Sequence, residues 1–450
     1  MLEGGGKRFP PPFSLPQPEP PVTANLETAR RLAQAGRIDE AERAFGAVLN
    51  NDPACLEAYS FLVMAAHRRR DHRRAIMLLE RALKVAPEDS RFLTDLGQIH
   101  RGRNHLDRAA DAFRRAIVLA PENYEARLFL GGVLERLGRK IDAVKTYLGA
   151  LETARLQGAW TSAATIPPQL RAEIAHASDT VKHGLSGHYA ETLAPLRAKF
   201  GASALTRVEK FLSIYLGEIA AGIPDARQKP LYFYFPDIPS QPYFTRDQVP
   251  WVAALEEATE VIRDEAATVV AGGELPPFLA GTDTTKISSY LSGGTRPPAW
   301  DAFFFYRDGV KVEDSHRRAP KTAEVLERLP LVRIPGSAPE ICYSLLTPGT
   351  IIERHSGVAN FRIVVHLPLI VPEGCAIRVG GEEHVWQEGR CVAFDDTFEH
   401  EAWNKNDQWL RVVMLMDAWN PHLTEAERAA VADLVGAIGG VNREAVGTPA

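Results

Sequence analysis

Two histidines are placed to act as a pair: His355, in ERHSGVAN, and His400, in FDDTFEHEAWN, 45 residues apart. Each stands beside a short β-type segment. Oxygenases that activate O2 take imidazole ligands for iron from strands that are remote in sequence and adjacent in space. Between the two, FRIVVHLPL alternates, so that Arg362, Val364 and His366 share one face while Phe361, Ile363, Val365 and Leu367 take the other. The first face is polar enough to line a site. A single buried His or Arg on a strand is more often a satisfied structural group than a reactive one, so the question is whether the surrounding elements gather several of them.

From Ile341 onward, ICYSLL, FRIVVHLPLI, CAIRVGG, RCVAFDD and LRVVMLMDAW follow one another as short strands separated by Gly and Pro turns. Such a series predicts a jelly roll, a double-stranded β-helix of two facing sheets. The first third of the chain has another texture. Ala41, Ala75, Ala109 and Ala143 step by 34 residues, and so do Pro53, Pro87 and Pro121. The same register puts Phe45, Leu79, Phe113 and Tyr147 four residues after each alanine, with Gly97 and Gly131 in equivalent first helices. This resembles the tetratricopeptide repeat, an α-solenoid of helix pairs in which small residues admit a bulky one from the facing helix. Arg155 stands where the fourth proline is due, which predicts a last helix that runs on. Residues 161–222 are helical in pattern, notably QLRAEIAHASDTVKHGL and ALTRVEKFLSIYLGEIA. His176, His183 and His188 fall there without a carboxylate or cysteine at ligand spacing and read as surface or packing groups.

The strand motifs carry a more specific resemblance. SLLTPGTIIERHSG, NFRIVVHLPL, EGCAIRV, FDDTFEHEAWN and RVVMLMDAWNP, preceded by WDAFFFYRDG and APKTAEVLE, are similar in type and order to the aspartyl/asparaginyl β-hydroxylases. The resemblance implies an Fe(II)- and 2-oxoglutarate-dependent oxygenase that uses O2 to hydroxylate an unactivated carbon, in that family the β-carbon of an Asp or Asn in a polypeptide. It implies that His355 and His400 bind the iron, with Gly357 where most related oxygenases carry a ligating carboxylate. A water would then fill the third position, and Asp395 or Asp396 is the alternative. Arg411 and Ser344 are implied for the far carboxylate of 2-oxoglutarate, whose two oxygens a guanidinium fork matches better than an ammonium. His366 is assigned to the co-substrate end nearest iron and Arg362 to a substrate carboxylate or amide. At Val364 the chain departs from the animal peptide hydroxylases, which carry a second arginine, and this weakens the case for an aspartyl substrate. Trp403, Trp419 and His422 lie in the same motifs and read as packing.

The resulting organisation is multi-domain α + β. A proline-rich disordered tail is expected over residues 1–22, the repeats over 23–157, connecting helices over 158–228, the oxygenase over 229–425, and a helix and tail over 426–450. A net charge of −5, from 52 basic and 57 acidic residues, offers no polybasic field for nucleic acid or anionic lipid. The four cysteines have no CxxC pairing. With neither a signal-peptide core nor a membrane-length apolar run, the expected compartment is the cytoplasm, with no membrane anchor. The expected partner is a protein or peptide substrate engaged by the repeats. The rival readings are a hydroxylase of a small molecule, peptide natural product or acyl chain, and a repeat scaffold with a decayed oxygenase. The oligomeric state is not encoded in any of these patterns.

Overall fold

The computed structural model describes residues 25–162, 164–279, 290–293 and 297–447. The proline-rich tail expected over 1–22 lies outside them. Contacts divide the chain into two compact units, Met1–Ser178 with Ala445–Ala450, and Asp179–Glu444.

The first unit is built from helix pairs: α1 (Leu26–Gln34) with α2 (Ile38–Asn51), α3 (Leu56–Arg68) with α4 (His72–Val85), α5 (Ser90–Gly102) with α6 (Leu106–Leu119), and α7 (Tyr124–Arg136) with α8 (Lys140–Leu156). The 34-residue markers do the work expected of them. Ala41, Ala75, Ala109 and Ala143 are all fully buried, and the three prolines fall just beyond α2, α4 and α6. Side-chain caps open several helices, including Asp71 to the N–H of Arg74 and Asn123 to that of Ala126. Where Arg155 replaces the fourth proline, α8 reaches 17 residues against 14 for α6.

The glycines of the first helices are steric necessities. A Cβ at Gly97 would sit 2.6 Å from the Phe113 ring, and one at Gly131 would collide with Tyr147. Gly131→Ala is therefore expected to destabilise the array by about 1–2 kcal/mol, because overpacking costs about 1–3 kcal/mol and helix propensity returns up to about 1. Urea unfolding followed by helical circular dichroism checks this, and an unchanged or raised midpoint would contradict it.

The middle segment differs in detail from its expected pattern. A long helix, Arg171–Phe200, carries Pro195 inside it, and a second, Thr206–Tyr215, stops before GEIA. Gly217 there takes a left-handed φ of 70°, a conformation that ends helices at little cost only for glycine. Residues 161, 162 and 164–167 are also outside any helix.

The second unit contains two antiparallel sheets. Its strands are β1 (Tyr243–Phe244), β2 (Leu291–Ser292), β3 (Trp300–Arg307), β4 (Val310–Lys311), β5 (Ile341–Leu346), β6 (Ile351–His355), β7 (Arg362–Ile370), β8 (Cys375–Val379), β9 (Glu382–His384), β10 (Val392–Phe394), β11 (His400–Asn404) and β12 (Arg411–Trp419). One sheet has the order β1-β10-β7-β12-β5-β3-β4 and the other β2-β6-β11-β8-β9. Sequence neighbours are mostly not sheet neighbours, so residues far apart in the chain meet. On β7, Ile363, Val365, Leu367 and Leu369 join the large apolar core, while Arg362, Val364 and His366 face a cavity lined from both sheets. Phe361, placed by alternation on the opposite face, precedes the strand and also lines the cavity.

Candidate active site

The cavity, of about 350 Å³, collects all six residues singled out in the sequence: Ser344, His355, Arg362, His366, His400 and Arg411. Backbone pairing explains the central pair. β6 and β11 run antiparallel with His355 directly opposite His400, and the two rings lie 4.1 Å apart between centroids. Each imidazole is oriented by its own chain two residues back. His355 Nδ1 lies 2.8 Å from the carbonyl oxygen of Glu353, and His400 Nδ1 lies 3.0 Å from that of Phe398. A carbonyl can only accept, so each Nδ1 carries the proton and each Nε2 keeps its lone pair. Burial depresses the pKa of His355 and, with the neighbouring imidazole adding to it, brings His400 down to about 3. Both are neutral at physiological pH, the form that ligates a metal.

Among the described residues no group of three His, Cys, Asp or Glu side chains could hold a metal ion, so the imidazoles remain a pair. The loop carboxylates differ. Asp395 is consumed locally, accepting from the Thr397 N–H at 2.9 Å and from Gln228 Nε2 at 2.8 Å. Asp396 lines the cavity, and its carboxylate occupies the space that a side chain at position 357 would need. Its backbone carbonyl accepts the Gly357 N–H at 2.6 Å, which fixes the two loops together. Burial pushes the Asp396 carboxyl up to about 6 despite the opposing charge of Arg362, and its Oδ1 has no hydrogen-bond partner. A carboxylate thus stands near the imidazoles through the fold instead of through the HxD spacing.

At the other end, Arg411 is buried with no carboxylate paired to it among the described residues. Burial lowers its pKa to about 10. Its Nη1 donates to the carbonyl and the Oγ of Ser344 at 3.2 and 3.3 Å, and the guanidinium lies 5.1 Å from the Trp386 ring centroid. Trp300 Nε1 also donates to Ser344 Oγ, at 2.9 Å. That hydroxyl oxygen accepts from two donors, so its own proton is free to be given to a ligand. His366 Nδ1, Arg411 Nε and Trp386 Nε1 are buried without partners. A buried cation with its own Nε unpartnered, and two further orphan nitrogens near it, describes a place for an anion.

Arg362 departs from its expected role. It is not free for a substrate, because Nη2 pairs with Asp396 at 3.1 Å and Nη1 with Asp417. Asp417, Trp300 and Trp386 were absent from the sequence reading. Counting by twos along β12 from Arg411 reaches Leu415 and Asp417, all three in the cavity wall, so the signal for Asp417 was present. His176 meets Glu135 at 2.8 Å and His183 its own helix backbone, as packing groups do.

Residues 256–421 match the family model for aspartyl/asparaginyl β-hydroxylase, and residues 26–90, 62–121 and 94–159 match the tetratricopeptide repeat. Mouse aspartate β-hydroxylase domain-containing protein 2 is 33% identical over 255 residues, 56% of this chain and 71% of that protein. The chain belongs to the aspartyl/asparaginyl β-hydroxylase family. Mouse aspartyl/asparaginyl β-hydroxylase is 26% identical over 90% of this chain and 56% of its own length. The ornithine lipid ester-linked acyl 2-hydroxylase of Rhizobium tropici is 36% identical over 40% of this chain and 61% of its own. The chain spans about half the length of several such relatives, 54% of human aspartate β-hydroxylase domain-containing protein 2 among them. Within this family the hydroxylase segment coincides with the two-sheet region and the repeat segment with the helix pairs. No helix among the described residues is long and apolar enough to cross a membrane.

Proposed function

We propose that this protein is an Fe(II)- and 2-oxoglutarate-dependent oxygenase, its two sheets forming a jelly roll, that hydroxylates an unactivated carbon. The observation that carries the reading is the Arg411 guanidinium, buried without a carboxylate partner among the described residues in the same cavity as two neutral imidazoles whose Nδ1 atoms are held by their own backbone. A dicarboxylic acid answers the cation and, through its oxo-acid end, reaches the metal position. A bound iron would supply activation of O2 coupled to decarboxylation of 2-oxoglutarate, giving succinate and CO2.

The residues themselves position and exclude. His355 and His400 would hold the metal, kept in register by the β6–β11 ladder and kept neutral by burial. Asp396, with its orphan oxygen, would accept a hydrogen bond from a water in the cavity. Arg411 and Ser344 would grip the far carboxylate, with His366 beside the near end. Phe361, Phe233 and Val364 dry the cavity near the reacting carbon.

In the parent family that carbon is the β-carbon of an Asp or Asn in a polypeptide, and the repeats are the part suited to engage such a partner, within the cytoplasm. A second reading, hydroxylation of a small molecule, peptide natural product or acyl chain, is favoured by Val364 and by the pairing of Arg362 with two carboxylates. A decayed scaffold is disfavoured because drift has no reason to spare six residues in one cavity. Succinate formation from 2-oxoglutarate, with and without Fe(II), tests the proposal; a rate indifferent to iron would end it.

Trp300 gives a finer check. Trp300→Phe keeps the ring stacked 4.0 Å over Phe278 but removes the donor to Ser344. Loss of one such bond, worth about 0.5–1.5 kcal/mol, is expected to raise the KM for 2-oxoglutarate roughly 3–10-fold while sparing kcat. In a Ser344→Ala background the same change should have no further effect, and an unaltered penalty there would contradict the coupling.

A further inference from the structure

Arg411 opens β12 and Asp417 stands six residues further along the same strand, so the cavity has a second end, away from Arg411, that is acidic. Its walls include Arg362, Asp417, Glu340 and Asp308. The guanidinium is closed off by Asp396 and Asp417, and Asp417 Oδ2 in turn accepts the Glu340 N–H at 2.9 Å. Two carboxylates for one cation already leave an excess of negative charge. Glu340 adds to it, and no ion pair reaches Glu340 among the described residues. Its carboxyl is pushed up to about 7, first by burial and then by Asp417 and Asp308, with Arg307 and the Asp308 N–H opposing in part. The same cavity is also lined by the apolar Phe233, Phe361 and Val364.

This arrangement discriminates among occupants. An aspartyl or fatty carboxylate would meet like charge, with Val364 offering it nothing and Arg362 already paired. A purely apolar occupant would seal Glu340 from water with only the Asp308 N–H to meet it, which is costly. We propose that the acidic end receives a cationic group, the ammonium or guanidinium of a substrate whose oxidised carbon lies on an apolar stem, and that Glu340 is the residue that selects it. This rests on the oxygenase reading. It replaces the expected aspartyl side chain by a lysine-like or aminoalkyl one.

The test uses the full chain with 2-oxoglutarate present and iron absent, so that binding is read without turnover. Hexylamine, hexanol and hexanoate, alike in carbon count and unlike in head group, are titrated by calorimetry. The amine is expected to bind at least about tenfold tighter than the carboxylate, as complementary charge in a desolvated pocket requires. In Glu340→Gln that ratio should fall below about threefold, and in Glu340→Lys it should invert. Asp308→Asn, expected to weaken the same preference, keeps the question answerable if Glu340→Lys does not fold. Equal binding of the three probes, no binding of any, or an amine preference untouched in Glu340→Gln would overturn the proposal. A short peptide centred on lysine, run beside hexylamine, tells a polypeptide source of the cation from a small-molecule one. Absence of iron-dependent succinate formation, with the amine preference intact, would remove the oxygenase reading alone.

Discussion

His400→Ala is expected to abolish iron binding and to lower 2-oxoglutarate turnover by more than about 100-fold, beyond the 10–100-fold that loss of a mere outer partner of a metal ligand costs. The reason lies in the scarcity of ligands. Among the described residues His355 and His400 form a pair with no third ligand, so removing either leaves a single imidazole, which cannot retain a ferrous ion at cellular concentrations. The same loss is expected for His355→Ala. Folding is not at risk to the same degree, because each ring bonds nearby backbone of its own segment and the strand pairing is made by main-chain groups. Metal content by mass spectrometry, read together with circular dichroism, separates the two effects. Wild-type iron content in either folded variant would refute the ligand assignment. Asp396→Ala makes a graded comparison. If that carboxylate holds a water and not the metal, iron content should fall less than in the histidine variants, within the outer-partner range.

What the sequence made readable follows from how far each signal reaches along the chain. The 34-residue period is local, because Gly97 meets Phe113 and Gly131 meets Tyr147 within one helix pair. The facing of Arg362, Val364 and His366 needs only the two-residue alternation of a single strand, and it held. The imidazole pair was readable as a candidate from residue type and its place beside two strands, but the direct opposition of His355 and His400 is a property of the β6–β11 register and not of either strand. Cross-strand chemistry was the hidden part. Nothing in the motif around Arg362 announces that Asp396 and Asp417, 34 and 55 residues away, will bracket it. Asp395 and Asp396 were both readable as alternatives to the carboxylate missing at Gly357, but which of them enters the cavity depends on two loops joined by one backbone hydrogen bond and was not. Trp300 and Trp386 were hidden for the same reason: Trp300 matters through its bond to Ser344 and Trp386 through the ring it lays against Arg411, both on other elements.

Arg411→Met is expected to raise the stability of the ligand-free protein while nearly eliminating its affinity for 2-oxoglutarate. The two effects share a cause. A guanidinium taken out of water with no carboxylate beside it carries a desolvation penalty of several kcal/mol, of which its bonds to Ser344 and its contact with Trp386 return only part. Met fills a similar volume without a charge, so the variant is expected to gain on the order of 2 kcal/mol, seen as a higher urea midpoint at unchanged slope. Affinity moves the other way. Deleting one partner of a buried charge pair costs about 2–5 kcal/mol, which weakens 2-oxoglutarate binding by roughly 30-fold or more. Arg411→Lys should fall between, since an ammonium keeps the charge and loses the fork. In the wild type, saturating 2-oxoglutarate should recover the missing stability by mass action, and in Arg411→Met it should add nothing. A variant that is less stable than wild type when both are ligand-free would mean that Arg411 is a structural cation, held for packing, and that the anion it awaits has been misread.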